Sequence, residues 1–215
     1  MIVIFDMDGT VWDSQPGILA CLHHTFRTLG MEVPSDRELS ANLGPPLQVM
    51  LAELGIPSDL VERGTGIYRE RYVERGVYEA SVYPGVVEVL DELRARGHQL
   101  ATATSKGEGP TRQMLEHFEL TARFDVIGAA SMDASAITKE AVLARALGEL
   151  GDPEPSACCM VGDRSYDVVG AASFGIECIG VTWGYGTEQE LLDAGARHVL
   201  AAPSELLGLV GTTRS

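Results

Sequence analysis

The chain has 215 residues, 45% hydrophobic and 22% charged, ordinary values for a folded globular protein with room for one large domain or one domain plus a small insert. No apolar run approaches the roughly 18 residues of a membrane span, and the N-terminus enters a strand pattern directly with no export signal, so a cytoplasmic location is expected. With 16 Lys and Arg against 31 Asp and Glu, the formal charge is −15 and no basic run occurs, which argues against nucleic-acid and membrane partners.

The apolar run Ile2-Val3-Ile4-Phe5 predicts a short buried strand ending at Asp6-Met7-Asp8-Gly9-Thr10. Residues two apart in extended backbone share a side, so Asp6 and Asp8 can converge on one ligand before Gly9 permits a sharp turn. From Pro16 to about Val82 helical patterns run at Ile18–Leu29, Leu47–Leu54 and Leu60–Arg75 with no clear strand, predicting a small all-helical insert over 16–82. Asp13-Ser14 and Tyr83-Pro84-Gly85 are its expected crossing points. Gly64-Thr65-Gly66 lacks the preceding strand that a dinucleotide site needs, and a stripe of Tyr68, Tyr72 and Tyr78 reads more readily as core than as a ligand face.

Beyond the insert, strand patterns at Gln99–Ala103, Val126–Ala129, Cys158–Val161, Cys178–Val181 and His198–Leu200 alternate with helical ones at Gly85–Arg96, Pro110–Phe118, Lys139–Leu150, Tyr166–Phe174, Glu188–Ala194 and Ser204–Val210. This alternation predicts an α/β fold with a doubly wound parallel sheet, a Rossmann-like core formed by 1–15 and 83–215. Cys21, Cys158, Cys159 and Cys178 show no CxxC spacing and read as reduced core residues, and the five histidines show no zinc spacing.

Ligands of such sheets bind beyond the carboxyl ends of the strands. There this sequence delivers Asp6 and Asp8, then Thr104-Ser105-Lys106, then Lys139 at a helix start, then Asp163 and Asp167. Asp6 suits attack on phosphorus to form an aspartyl-phosphate, and Asp8 suits proton donation to the leaving oxygen and later removal of a proton from water. Two carboxylates and a phosphate dianion repel, so a Mg²⁺ ion held by Asp6, the Asp8 carbonyl and Asp163 is expected. Thr104 and Lys139 suit the transferring phosphoryl oxygens. Lys106 competes with Lys139 for that role but more naturally lies at the mouth of the site, with Ser105 orienting it or contributing an amide. Gly9 and Thr10 complete the candidate phosphate-binding set. Asp167 either holds a metal-bound water or pairs with Lys139, or is simply a helix-start acid.

This set resembles the haloacid dehalogenase superfamily of phosphohydrolases, in the phosphoglycolate-phosphatase-like branch with a small helical cap. Asp6-Met7-Asp8-Gly9-Thr10 is similar to its first motif, Thr104 to the second, Lys139 to the third and Gly162-Asp163 through Asp167 to the fourth. The resemblance extends to Asp13-Ser14, Leu43-Gly44-Pro45-Pro46-Leu47 and Gly184-Tyr185-Gly186, and it implies that the cap loop, with Leu43, Gly44 and Pro45, selects the substrate. Trp12 and Gly107-Glu108-Gly109 depart from the usual pattern at the site entrance. The implied activity is Mg²⁺-dependent hydrolysis of a small phosphorylated metabolite by a monomer or homodimer. Phosphoglycolate is the leading substrate, with nucleoside monophosphates and sugar phosphates as competitors. The dehalogenase relatives lack the second aspartate, and a signalling receiver module carries its aspartate on a later strand without an insert. A sugar-phosphate mutase of the beta-phosphoglucomutase type would use the same residues, and a non-catalytic binding protein could keep the fold.

Overall fold

The computed structural model describes residues 1–131 and 138–211. The first apolar run forms β1 (Ile2–Phe5), buried at every residue because it lies inside a sheet with a neighbour on each side. β2 (Trp12–Asp13) and β3 (Ser81–Val82) form a separate two-stranded sheet. The main sheet is completed by β4 (Gln99–Gly107), β5 (Val126–Ala130), β6 (Cys158–Gly162), β7 (Glu177–Val181) and β8 (His198–Leu200). Its six strands run in the order β5-β4-β1-β6-β7-β8, every pair parallel. The chain starts at the centre, builds outward to β5 and returns to add β6, β7 and β8 on the other side. Such a reversal of direction opens a crevice at the carboxyl ends of the central strands. The α/β class and doubly wound parallel sheet expected from the alternating pattern are the architecture observed.

The contacts divide the chain into two units, residues 1–13 with 82–215, and residues 14–81. The smaller unit contains α1 (Gln15–Thr28), α2 (Asp36–Ala41), α3 (Leu47–Glu53) and α4 (Val61–Glu74). Periodicity alone overlooks α2, which is too short to show one. Its signal is local instead: the Ser35 hydroxyl accepts the Glu38 N–H at 3.4 Å while Glu38 accepts the Ser35 N–H at 2.9 Å, a capping box at S-x-x-E spacing. Tyr68 and Tyr72 on α4 are buried with their rings stacked 5.5 Å apart, whereas Tyr78 is exposed.

In the larger unit α5 (Val86–Ala95), α6 (Glu108–His117), α7 (Lys139–Glu149), α8 (Ser165–Ala172), α9 (Glu188–Asp193) and α10 (Leu206–Leu209) accompany the sheet. α7 packs on β4 and β5, and α8 on β6 and β7. Alternate residues of β1 serve opposite faces. Ile2 and Ile4 join a core with Ala101, Val142, Leu143 and Val168, while Phe5 meets Phe124 edge to face at 6.3 Å. All four cysteines are buried thiols. Among the described residues no helix is long and apolar enough to cross a membrane.

Register decides what the sheet presents. Phe5 is level with Thr102 of β4 and Val161 of β6, so the residues that follow in each strand emerge side by side. β4 continues four residues past the expected end at Ala103. Thr104 pairs with Ala129 and Gly107 with Ala130, which leaves Ser105 and Lys106 as inserted residues in an irregular stretch. An interruption of this kind re-aims side chains, and here it bears directly on where Lys106 points.

Candidate active site

Asp6 follows β1 immediately and its N–H extends the ladder, donating to Val161 O at 2.9 Å. Its carboxylate is buried and accepts at Oδ1 from the Lys139 ammonium at 2.8 Å. Lys139 opens α7, where a positive charge opposes the helix dipole, so its place there needs a reason. The ammonium supplies one: it also donates to Ala103 O at 2.9 Å and lies 2.7 Å from Asp167 Oδ1. Its stem passes close over α8, where a Cβ at Gly170 would come within 2.7 Å of Lys139 Cγ. Asp167 stands in the first turn of α8 and accepts the Arg164 N–H at 3.1 Å through Oδ2. Its Oδ1 has the charge contact with Lys139 but no directed hydrogen bond among the described residues. Asp167 thus both pairs with Lys139 and caps the start of α8.

Asp163, at the end of β6, is fully buried. Its Oδ1 accepts the Thr10 hydroxyl at 3.3 Å and its Oδ2 accepts the Tyr185 N–H at 2.8 Å. Glycines enclose it. A Cβ on Gly9, which has φ +81°, would collide with Asp163 Oδ2, one on Gly184 with Gly9 O, and one on Gly186 with Asp163 O. Asp163 can sit this close to two loops only because side chains are missing there.

Asp6, Asp163 and Asp167 each offer an oxygen within 4.8 Å of the others. Three carboxylates against one ammonium leave two formal negative charges in a buried space, a balance that a divalent cation would close. The protonation behaviour agrees. Burial, outweighing Lys139, lifts the Asp6 carboxyl to about 6. Burial, with Asp167 and Asp6 adding repulsion, pushes Asp163 well above the usual carboxylate range. Burial disfavours the Lys139 charge too, but Asp167 and Asp6 more than compensate and hold its pKa above the ordinary value. The set is all hard oxygen, which fits Mg²⁺ rather than a thiophilic metal.

A group whose folded pKa is raised favours folding below its unfolded pKa, and that advantage is lost as pH rises through the folded value. For Asp6 the window runs from about 4, the usual carboxylate value, to about 6. Protons and a cation compete for the same oxygens over that window. The rise in melting temperature on adding Mg²⁺ to EDTA-treated protein is therefore expected to be larger at pH 7.5 than at pH 5, by calorimetry; an equal rise at both would contradict the assignment.

The expected set included the Asp8 carbonyl as a ligand. Asp167 joins Asp6 and Asp163 in the trio of carboxylates, while the Asp8 carboxylate meets Trp12, whose indole N–H donates to Oδ1 at 2.8 Å, and Lys106, 3.0 Å from Oδ2. Lys106 was expected at the mouth of the site. Its side chain is only 7% exposed. Thr104 is buried and its hydroxyl oxygen accepts the Lys106 N–H at 3.3 Å, and Ser105 is half-buried beside it. Leu43, Gly44 and Pro45 belong to the smaller unit, between α2 and α3, where Leu43 is buried and Gly44 has φ +130°.

Several partners escaped sequence reasoning because no local pattern marks them. The Trp183 indole N–H donates to Thr10 O at 2.9 Å, and the Tyr185 hydroxyl to Asp13 Oδ1 at 3.1 Å. Glu190 accepts from Arg164 Nε, Ser165 N and Ser165 Oγ at 2.9, 2.9 and 3.0 Å, anchoring the loop after Asp163.

Residues 3–181 match the haloacid dehalogenase-like hydrolase family. The chain is 42% identical over 185 residues to a Mycobacterium tuberculosis protein named tyrosine-protein kinase PtkA, covering 86% of this chain but only 63% of that relative's length. It is 35% identical over 190 residues to a 5'-nucleotidase of Pseudomonas aeruginosa, covering 88% and 86%. Among solved structures, a predicted phosphatase from Clostridium acetobutylicum is similar with a TM-score of 0.89 at 34% identity over 95% of each chain. The chain belongs to the haloacid dehalogenase-like hydrolase family.

Proposed function

We propose that this protein is a Mg²⁺-dependent phosphomonoesterase that hydrolyses a small phosphorylated metabolite through an aspartyl-phosphate on Asp6. The observation that carries this reading is the buried trio of Asp6, Asp163 and Asp167 around a single ammonium, at the strand end where the phosphoryl group would arrive.

Lys139 occupies Asp6 Oδ1, so Oδ2 is the attacking atom and Lys139 fixes its aim. A Mg²⁺ ion held by Asp6 and Asp163 would lower the repulsion between the carboxylate and the phosphate dianion. Thr104 Oγ1 accepts from the Lys106 amide, which turns its own O–H outward to a phosphoryl oxygen. Asp8 gives its proton to the leaving oxygen and takes one from the attacking water. Asp167 and Ala103 O hold the Lys139 ammonium in place.

Phosphoglycolate remains the leading substrate by family likeness, and the 35% identity to a 5'-nucleotidase puts nucleoside monophosphates beside it. Inorganic phosphate release from a panel of both classes and of sugar phosphates, with Mg²⁺ and with EDTA, tests the reading. Mg²⁺-dependent release from at least one compound is expected, and silence across the panel would overturn it. The 42% identity to a protein named tyrosine-protein kinase favours one second reading, phosphoryl transfer to a tyrosine. Label moving from ATP to a tyrosine side chain, with no phosphate release from the panel, would select that reading instead.

A further inference from the structure

The segment that follows β7 grips Asp163 from two sides. The Trp183 indole N–H donates to Thr10 O at 2.9 Å, and Thr10 donates its hydroxyl to Asp163 Oδ1 at 3.3 Å. Tyr185 holds the other oxygen, its N–H donating to Oδ2 at 2.8 Å. Its neighbours Gly184 and Gly186 lie so close to Gly9 O and Asp163 O that neither position has room for a Cβ. With its backbone wedged there, Tyr185 reaches away through its ring and donates its hydroxyl to Asp13 Oδ1 at 3.1 Å. Asp13 is the last residue before the chain leaves the larger unit, and Tyr83 follows Val82, where the chain returns to it. The Tyr185 and Tyr83 hydroxyls are hydrogen-bonded to each other, and the Tyr83 N–H donates to Val11 O at 3.1 Å. Burial, with the charges of Asp13, Asp163 and Asp8 nearby, holds the Tyr83 phenol above its ordinary value, so it stays neutral. One residue thus meets a candidate cation ligand through its backbone and both chain crossings through its hydroxyl.

We propose that Tyr185 is a positioning residue for the cation site, a strut that braces Asp163 against Asp13 and so sets the affinity for a divalent ion. This rests on the Mg²⁺-dependent reading above. Asp163 shares a buried space with Asp6 and Asp167, and like charges held that close push one another apart. An Asp163 free to swing away would have to be ordered again at each binding event, which weakens binding by the cost of that ordering. Its two hydrogen bonds resist the swing only as firmly as their donors are held. Thr10 is held by Trp183, and the Tyr185 N–H is held by the glycine wedge and by the hydroxyl at the far end of its ring. Asp13 lies outside the trio of close carboxylates and acts on it through Tyr185.

Tyr185→Phe keeps the ring and the backbone N–H and removes the hydroxyl. Calorimetric titration with MgCl₂ at pH 7.5, on protein treated with EDTA and dialysed, is expected to give a Kd about 10-fold weaker than that of the unsubstituted protein. Removing a group that supports a metal ligand weakens binding by about 10–100-fold, and the low end applies because the N–H on Asp163 stays. Asp13→Ala and Asp13→Asn approach the same bond from its other end. Both lose the charge but only asparagine keeps an oxygen for the Tyr185 hydroxyl, so Asp13→Ala should bind Mg²⁺ about 10-fold more weakly than Asp13→Asn. An unchanged Kd in Tyr185→Phe would overturn the proposal, even with a lowered melting temperature, because that pattern is packing alone. Should Tyr185→Phe fail to fold, the Asp13 pair carries the test, and equal Kd values for alanine and asparagine would overturn the proposal. Unsubstituted protein that takes up no Mg²⁺ would sink the Mg²⁺-dependent reading and the proposal with it, whereas equal binding by all the variants would defeat the proposal and leave that reading standing.

Discussion

Asp6→Asn is expected to lower kcat by at least about 10⁴-fold, the scale seen when a nucleophile is removed from a working catalytic set, while leaving the melting temperature unchanged or slightly higher. The amide keeps an oxygen for the Lys139 ammonium at the position where Oδ1 now lies 2.8 Å away. It also removes a charge whose burial lifts the Asp6 carboxyl to about 6, so the fold loses no net support. Chemistry and stability should therefore separate at this one residue. Phosphate release and calorimetry on the same preparation check it, and a variant retaining more than about one-tenth of the activity would rule out an aspartyl-phosphate at Asp6.

Lys139→Met should do the reverse and damage the fold as much as the reaction. The ammonium contacts Asp6, Asp167 and Ala103 O, all within 2.9 Å, and methionine fills its volume without its charge. Removing one partner of a buried ionic cluster costs about 3–5 kcal/mol, and at about 2–4 °C per kcal/mol for a chain of this size the melting temperature should fall roughly 6–20 °C. The loss should be largest near neutral pH and shrink as pH falls toward about 4, because the stranded carboxylates then take up protons. Added Mg²⁺ should recover part of it by replacing the missing positive charge. A drop under about 2 °C at pH 7.5 would mean that Lys139 does not hold the trio together.

Much of this protein was legible in its residues because the relevant physics is local. A four-residue apolar strand running into Asp-x-Asp-Gly places two acids at a strand end whatever the rest of the chain does, and the alternation of strand and helix patterns leads to a doubly wound parallel sheet. Even α2, overlooked by periodicity, was written in the spacing of Ser35 and Glu38. Which acids share a space is a different kind of fact. Asp6, Asp163 and Asp167 meet because β6 lies beside β1 in register and α8 begins at once after β6, distances that no sequence spacing encodes. Lys106 turns onto Asp8 because β4 breaks register after Thr104, and Trp12 reaches the same carboxylate because its loop closes on Gly9. Sequence alone determined which chemical groups arrive at the carboxyl end of the sheet, since strand periodicity and turn chemistry act over a few residues. Only the tertiary structure decided their partners, because pairing between residues as far apart as 6, 139 and 167 depends on strand order and helix packing that exist only once the whole sheet has formed.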